Sequence, residues 1–325
     1  YVPHDSQLKN ELTTDEIESA VLQAKALGAK KIIVLGGEPT IYPHTLELIR
    51  FMREQDLVVE MFTNGSGVTA SFAQALFALQ VRVVLKMNSF DPALQNQLAG
   101  CPDAHGIIHD ALSNLKKAGY PSREHFLAVS SIICRQNINE LPRMWQWLRD
   151  QQIVPYFEII TPQTNASIHD RLYVPPLELE AFFKTIADLD RRHYGRTWDI
   201  QPPLVGNKCM RHQFSCLVSS KGDVYPCVGI TLAIGNIRQQ PLGDILAQSQ
   251  VLKDLKNYRQ TIKGPCSACD QADSCYGCRG AAFQVTGDYL ASDPLCWRHR
   301  HLKDESIRDG ACGPHPPTCG PPADR

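Results

Sequence analysis

No apolar run approaches the roughly 18 residues that a membrane-crossing helix needs, so no membrane partner is expected. No basic segment followed by an apolar one stands near residue 1, so no secretory signal is visible. Net charge is nearly absent: 33 Lys and Arg stand against 34 Asp and Glu, which gives no reason to expect a nucleic-acid partner. Cysteine is scarce over the first two-thirds, where only Cys101 and Cys134 of the twelve are found before residue 209. A secreted disulfide scaffold is small and cysteine-dense throughout, so the asymmetry favours metal-bound thiolates in a reducing, cytoplasmic setting over disulfides. What is there is a chain of 325 residues, 43% hydrophobic and 21% charged, ample for a large folded core.

The first half alternates helix and strand. Thr13-Thr14-Asp15-Glu16 reads as a capping box ahead of the helical stripe Ile17, Ala20, Val21, Ala24 and Leu27, which ends at Gly28. Short apolar runs at 31–35, 57–62, 81–85, 126–134 and 153–160 read as strands, and the spacing predicts helices over 45–55, 70–79, 107–118 and 141–151. Connections of this length imply a parallel sheet with crossover helices, a barrel or a doubly wound sheet. A helix over 177–192 and Pro202-Pro203 form a connector to the cysteine-rich module. The Gly- and Pro-rich tail, with Cys312, His315 and Cys319, reads as a flexible extension.

The module reads Cys209, Cys216, Gly222, Cys227, then Cys266-x2-Cys269-x5-Cys275-x2-Cys278, then Cys296. Eight thiolates divide into two sets of four, the number taken by a tetrahedral zinc or a cubane iron–sulfur cluster, and spacing alone admits either. Residues 219–227 look like a hairpin that returns Cys227 towards Cys216.

Gly36-Gly37-Glu38-Pro39 directly after a buried strand, together with this cysteine array, resembles the radical S-adenosylmethionine (SAM) enzymes that carry a C-terminal SPASM domain. Cys278 departs by one residue from the family spacing, where x3 is common before the last cysteine of its block. The resemblance implies a partial, TIM-like (β/α)6 barrel in α/β class, here without its first strand, followed by the iron–sulfur SPASM domain. The corresponding division is barrel over 1–165, connector over 166–205, SPASM domain over 206–305 and tail over 306–325.

The same resemblance places SAM's methionine ammonium on the backbone of Gly36 and Gly37 and on Glu38, beside Pro39. It puts Thr63 and Asn64 at the cofactor pocket, with Lys86 and Asn88 as the residues nearest the ribose. One auxiliary [4Fe–4S] cluster is expected on Cys209, Cys216, Cys227 and Cys278, the other on Cys266, Cys269, Cys275 and Cys296. The family's C-x3-C-x2-C loop, whose cluster binds SAM, is not in this sequence. With the opening helix lacking a strand ahead of it, this leads to the expectation of a parent protein with that loop, and a third cluster, just upstream of Tyr1. Asp288, Tyr289 and Asp293 are read as solvated loop residues, and Cys134 as a buried structural cysteine.

The expected activity is oxidative modification of a peptide or protein by a 5′-deoxyadenosyl radical. A flavodoxin or ferredoxin would serve as electron donor. A tetrapyrrole substrate is the alternative. A non-catalytic iron–sulfur electron-transfer protein and a zinc-stabilised protein are the readings from other classes.

Overall fold

The computed structural model describes residues 10–162 and 171–298; Tyr1, part of the connector and the tail with Cys312, His315 and Cys319 lie outside the described residues. The first element among the described residues is α1 (Thr14–Ala26), whose capping box forms: Thr13 Oγ1 accepts the Glu16 N–H at 3.2 Å, and Glu16 Oε2 accepts the Thr13 N–H at 2.8 Å. Then follow β1 (Lys31–Val34), α2 (Thr45–Glu54), β2 (Val58–Thr63), α3 (Ala70–Ala78), β3 (Arg82–Lys86), α4 (Pro92–Ala99), α5 (Ala104–Ala118), β4 (Leu127–Ile133), α6 (Leu141–Asp150) and β5 (Val154–Ile159).

Helix α4 escaped the sequence reading, although its signals are present. Asp91 caps it by accepting the Leu94 N–H at 2.7 Å, Pro92 opens it, and Gly100 ends it with φ +65°.

The five strands pair in parallel in the order β1-β2-β3-β4-β5, each beside its neighbour in sequence, as in one arc of a barrel. Strand residues alternate between two faces. One face, with Val59, Met61, Val83, Leu85, Val129 and Phe157, is buried in the main core together with side chains from α2, α3, α5 and α6. The other carries Glu60, Phe62, Lys86, Ser130, Tyr156 and Glu158. The rings of Phe62 on β2 and Tyr156 on β5 lie 5.8 Å apart although the strands are three places apart, roughly 14 Å in a flat sheet. The sheet is therefore curled around these side chains.

Helix α7 (Pro176–Tyr194) is held to α6 by the fully buried Asp190 carboxylate. Its Oδ1 accepts from Trp145 Nε1 (2.7 Å) and Arg149 Nε (3.0 Å), and its Oδ2 from Arg149 Nη2 (2.8 Å) and Trp198 Nε1 (3.0 Å). The chain then runs antiparallel beside β5 through Leu204, with Ile159 N–H donating to Pro203 O and Val205 N–H to Phe157 O.

This pairing delivers the cysteine module to the barrel edge. The module contains a meander of β6 (Leu217–Val218), β7 (Asp223–Tyr225) and β8 (Gly235–Asn236), then α8 (Leu242–Gln248), α9 (Gln250–Lys256), α10 (Tyr258–Thr261) and α11 (Arg279–Thr286). The expected hairpin is present, with Leu217 opposite Tyr225. The meander is tied back to the start of α1, where Arg238 donates to both carboxylate oxygens of Glu16 and to the carbonyls of Asn10 and Glu11. Among the described residues no helix is long and apolar enough to cross a membrane.

Candidate functional site

At the C-terminal end of β1, where loops of parallel α/β folds build their sites, Glu38 is clamped by four donors. Its Oε1 accepts from Thr40 N (3.0 Å), Thr40 Oγ1 (2.6 Å) and Thr63 Oγ1 (2.6 Å), and its Oε2 accepts from Asn64 N (2.6 Å). Three donors fill Oε1 and one leaves Oε2 with acceptor capacity for an incoming cationic donor. A Cβ built on Gly36 or Gly37 would meet nothing within 4 Å, so both peptides border open space that a ligand can enter. Pro39 starts a short 3-10 turn and is buried, which fixes the exit of the loop. Thr63 and Asn64 thus join Gly36, Gly37 and Glu38 in one place, but by holding the carboxylate rather than by offering free side chains. Asn64 Oδ1 is itself occupied by the Ser66 N–H and hydroxyl.

Lys86 and Asn88 part company. Lys86 points into the curl and reaches Ser130 Oγ at 3.4 Å. Burial pulls its ammonium down to about 8, against the attraction of Glu158 and Cys134. Asn88 is buried, and its Oδ1 accepts the Ile132 N–H at 3.0 Å, so its side chain staples β3 to β4. Cys134 is buried as expected, and burial raises its thiol. Below Lys86 the curl is closed by Glu60, which pairs with Lys31 at 3.2 Å and Arg82 at 3.0 Å. Above it, the Arg211 guanidinium donates to the Tyr156 hydroxyl. Arg211 is largely buried, and the Tyr156, Cys209, Glu158 and Cys227 groups favour its charge. Charged residues facing the lumen, Glu158 and Arg211 among them, were not legible in sequence; the period of β5 marked the inner face, but nothing marked what it meets.

In the module, Cys278 interacts electrostatically with Cys209 and Cys227, while Cys275 does so with Cys266 and Cys269, and Cys296 with Cys266 and Cys275. The structure therefore brings together all of one expected set and three of the other. Cys216 packs instead against the apolar patch of Val224, Leu242 and Ile245. Two glycines enable the first grouping: a Cβ on Gly229 would lie 2.7 Å from Gly280 Cα, so the turn after Cys227 rests directly on the turn after Cys278.

Backbone amides point at the sulfurs. Gln271 N–H donates to Cys269 Sγ (3.5 Å), Gly277 N–H to Cys275 Sγ (3.3 Å), Ala281 N–H to Cys278 Sγ (3.3 Å) and Asp293 N–H to Cys266 Sγ (3.4 Å). Cys278 is also the cap of α11, where the helix dipole favours a thiolate. Burial raises the thiols of Cys216, Cys227, Cys269, Cys275 and Cys278, and pushes that of Cys296 up to about 12. Buried sulfurs supplied with N–H donors suit the thiolate form only beside a cationic core, which deprotonates its ligands, so the donor set fits iron–sulfur centres. Among the described residues no three Cys, His, Asp or Glu side chains form a group suited to one metal ion.

Asp293 corrects the sequence reading. It is 2% exposed, not solvated: Oδ2 accepts the Cys278 N–H at 2.7 Å and Oδ1 the Leu295 N–H at 2.9 Å, so it braces both sets. Asp288 pairs with Lys263 at 2.6 Å, and Tyr289 donates to Asp254 at 2.9 Å. Buried polar residues between the cysteines, His212, Tyr276 and Arg279, were likewise missed. Their only sequence signal is position between ligand-spaced cysteines.

A curled parallel sheet with a Gly-Gly-Glu-Pro loop at its mouth, joined to an eight-cysteine module, defines a barrel protein of the SAM- and iron–sulfur-dependent class. Family comparison agrees: the Radical SAM superfamily model matches residues 1–148, and the SPASM model, an iron-sulfur cluster-binding domain, matches residues 209–270. Residues 1–148 thus carry a Radical SAM domain and residues 209–270 a SPASM domain.

The chain is 26% identical over 313 residues to an AdoMet-dependent heme synthase of Methanosarcina barkeri, covering 88% of this chain and 87% of the relative. It is 29% identical over 329 residues to a PqqA peptide cyclase of Streptomyces rochei, covering 94% and 87%. In fold it is similar to native anSMEcpe with bound AdoMet, at TM-score 0.69 and 16% identity over 95% of this chain and 92% of that one. It is also similar to Streptococcus suis SuiB bound to precursor peptide SuiA, at TM-score 0.66 and 15% identity over 89% and 70%.

Proposed function

We propose that the protein is a radical SAM/SPASM oxidoreductase or maturase that oxidatively modifies a peptide or protein. The observation that carries this is the Glu38 clamp: a carboxylate aimed by four donors, with acceptor capacity left on Oε2, beside two glycines that border empty space. When bound at a C-x3-C-x2-C cluster, SAM supplies a 5′-deoxyadenosyl radical able to take hydrogen from an unactivated carbon. That loop is not within these 325 residues.

The residues that are within them bind and orient. Glu38 fixes the methionine ammonium, the Gly36 and Gly37 peptides admit it, and Thr63 and Asn64 keep the carboxylate in register. Lys86 stands deeper in the lumen, within reach of a cofactor's polar groups. Phe62, Val84 and Ile132 on the inner face keep water from the reacting carbon, while Tyr156 and Glu158 face substrate. Cys209, Cys216, Cys227 and Cys278 would hold one auxiliary [4Fe–4S] cluster and Cys266, Cys269, Cys275 and Cys296 the other; a flavodoxin or ferredoxin would donate electrons.

The PqqA peptide cyclase at 29% identity supports a peptide substrate. A tetrapyrrole is the second reading, favoured by the heme synthase at 26% identity. Anaerobic reconstitution tests the proposal: about eight irons per chain are expected on these residues, about four for each cubane. With a C-x3-C-x2-C loop joined to these residues, SAM and dithionite should yield 5′-deoxyadenosine. Zinc in place of iron, with no broad visible absorption, would overturn it.

A further inference from the structure

Six buried side-chain nitrogen and oxygen atoms among the described residues have no hydrogen-bond partner, and five of them meet at one place in the module. They are both ring nitrogens of His212, the hydroxyl of Tyr276, and Nε and Nη2 of Arg279. These residues are 3%, 2% and 0% exposed. The His212 and Tyr276 rings are 4.4 Å apart, and the Tyr276 hydroxyl faces the Cys209 sulfur without reaching hydrogen-bond geometry. Arg279 follows Cys278 directly, and its Nη1 is spent on the carbonyls of Tyr289 (3.2 Å) and Ala291 (2.5 Å).

Each unpaired buried donor or acceptor costs about 1–3 kcal/mol. Five such atoms on three neighbouring residues, with the Tyr276 hydroxyl beside Cys209, Cys227 and Cys278 and Arg279 next to Cys278 in the chain, mark a group that they are built to face. A cubane on thiolates fits: the ligand charge outweighs that of the core, so the assembly is anionic and becomes more so on reduction.

We propose that Arg279, Tyr276 and His212 form a donor shell around the cluster held by Cys209, Cys227 and Cys278, and that this shell raises its reduction potential. The proposal rests on the reading that these cysteines hold iron and sulfur. The guanidinium charge and the hydroxyl and imidazole N–H donors stabilise the more negative, reduced form over the oxidised one. They are positioning residues for electron transfer. Asp293 is the buried anion next to this shell: its Oδ2 accepts the Cys278 N–H, and a Cβ on Gly277 would lie 3.1 Å from that oxygen and 3.0 Å from Arg279 Nη2.

The test is a reductive titration of the anaerobically reconstituted protein, following each cluster by electron paramagnetic resonance, with iron counted in every sample. In Arg279→Met the reduced-to-oxidised ratio of this one cluster at a fixed potential should fall about tenfold, equivalent to about 59 mV for one electron. Arg279→Lys, which keeps the charge, should fall less. Tyr276→Phe, which deletes one oxygen, should fall several-fold, with the second auxiliary cluster unchanged in every variant.

Full iron with unchanged ratios in Arg279→Met and Tyr276→Phe overturns the shell and leaves the cluster reading standing. Wild-type protein without iron overturns the cluster reading itself. Should Arg279→Met not retain iron, Tyr276→Phe decides; loss of iron there as well would make these residues structural and overturn the proposal.

Discussion

Glu38→Gln separates the charge of the clamp from its shape. In the native loop, Oε1 receives Thr40 N, Thr40 Oγ1 and Thr63 Oγ1, and Oε2 receives Asn64 N. The amide oxygen of a glutamine can keep the first three, while its NH2 must face the Asn64 N–H, so local order is largely retained at a cost of about 1 kcal/mol. What is lost is both the charge and the acceptor oxygen offered to an ammonium, because the NH2 in place of Oε2 can only donate. A hydrogen bond to a charged group contributes about 1.5–3 kcal/mol, so its loss is roughly tenfold or more in Kd. Equilibrium binding of SAM to the iron-loaded variant, beside a thermal melt, should show a Kd weaker by roughly tenfold or more with a small change in Tm. Unchanged SAM affinity in a folded variant would refute the role of Glu38.

Asp190→Ala leaves Arg149 and two indoles without their buried partner. It should cost about 3–5 kcal/mol, read by urea denaturation. Lys86 makes stability depend on pH: burial brings it from 10.5 to about 8, so between those values the unfolded chain holds a proton that the folded chain has released. Its contribution therefore rises with pH across that window, by about 3 kcal/mol in all, and in melts from pH 7 to 10.5 the wild type should gain that much relative to Lys86→Met, whatever the other groups add to both. Gly280→Ala inserts a methyl 2.8 Å from Gly229 Cα and should part Cys278 from Cys227. Iron per chain should fall by about four, one cubane's worth, while the site of Cys266 and Cys275 stays loaded.

Much of the barrel was legible because its information is local. The apolar runs at 31–35 and 153–160 became β1 and β5 within a residue or two, and Thr13 and Glu16 capped α1 as read. Helix α4 was missed although Asp91, Pro92 and Gly100 announce it; a short helix between a strand and a longer helix is easily merged into a loop. Gly36, Gly37 and Glu38 were found through motif and position. The role of Thr63 and Asn64 as holders of that carboxylate was not, because the residues are 25 and 26 positions away and meet Glu38 only once β1 and β2 pair.

Sequence by itself determined the alternation of strand and helix, the division between a cysteine-poor body and a cysteine-rich module, and the identity of the sulfur donors, since each is carried by neighbouring residues and their spacing. Only the tertiary structure decided which sulfurs face one another, that Asn88 ties two strands together, that Asp293 is buried between the cysteine sets, and that Arg279, Tyr276 and His212 converge on one of them. Those facts follow from burial and from contacts between distant segments. Burial changes what a charge costs, and no stretch of neighbouring residues states whether water will reach it.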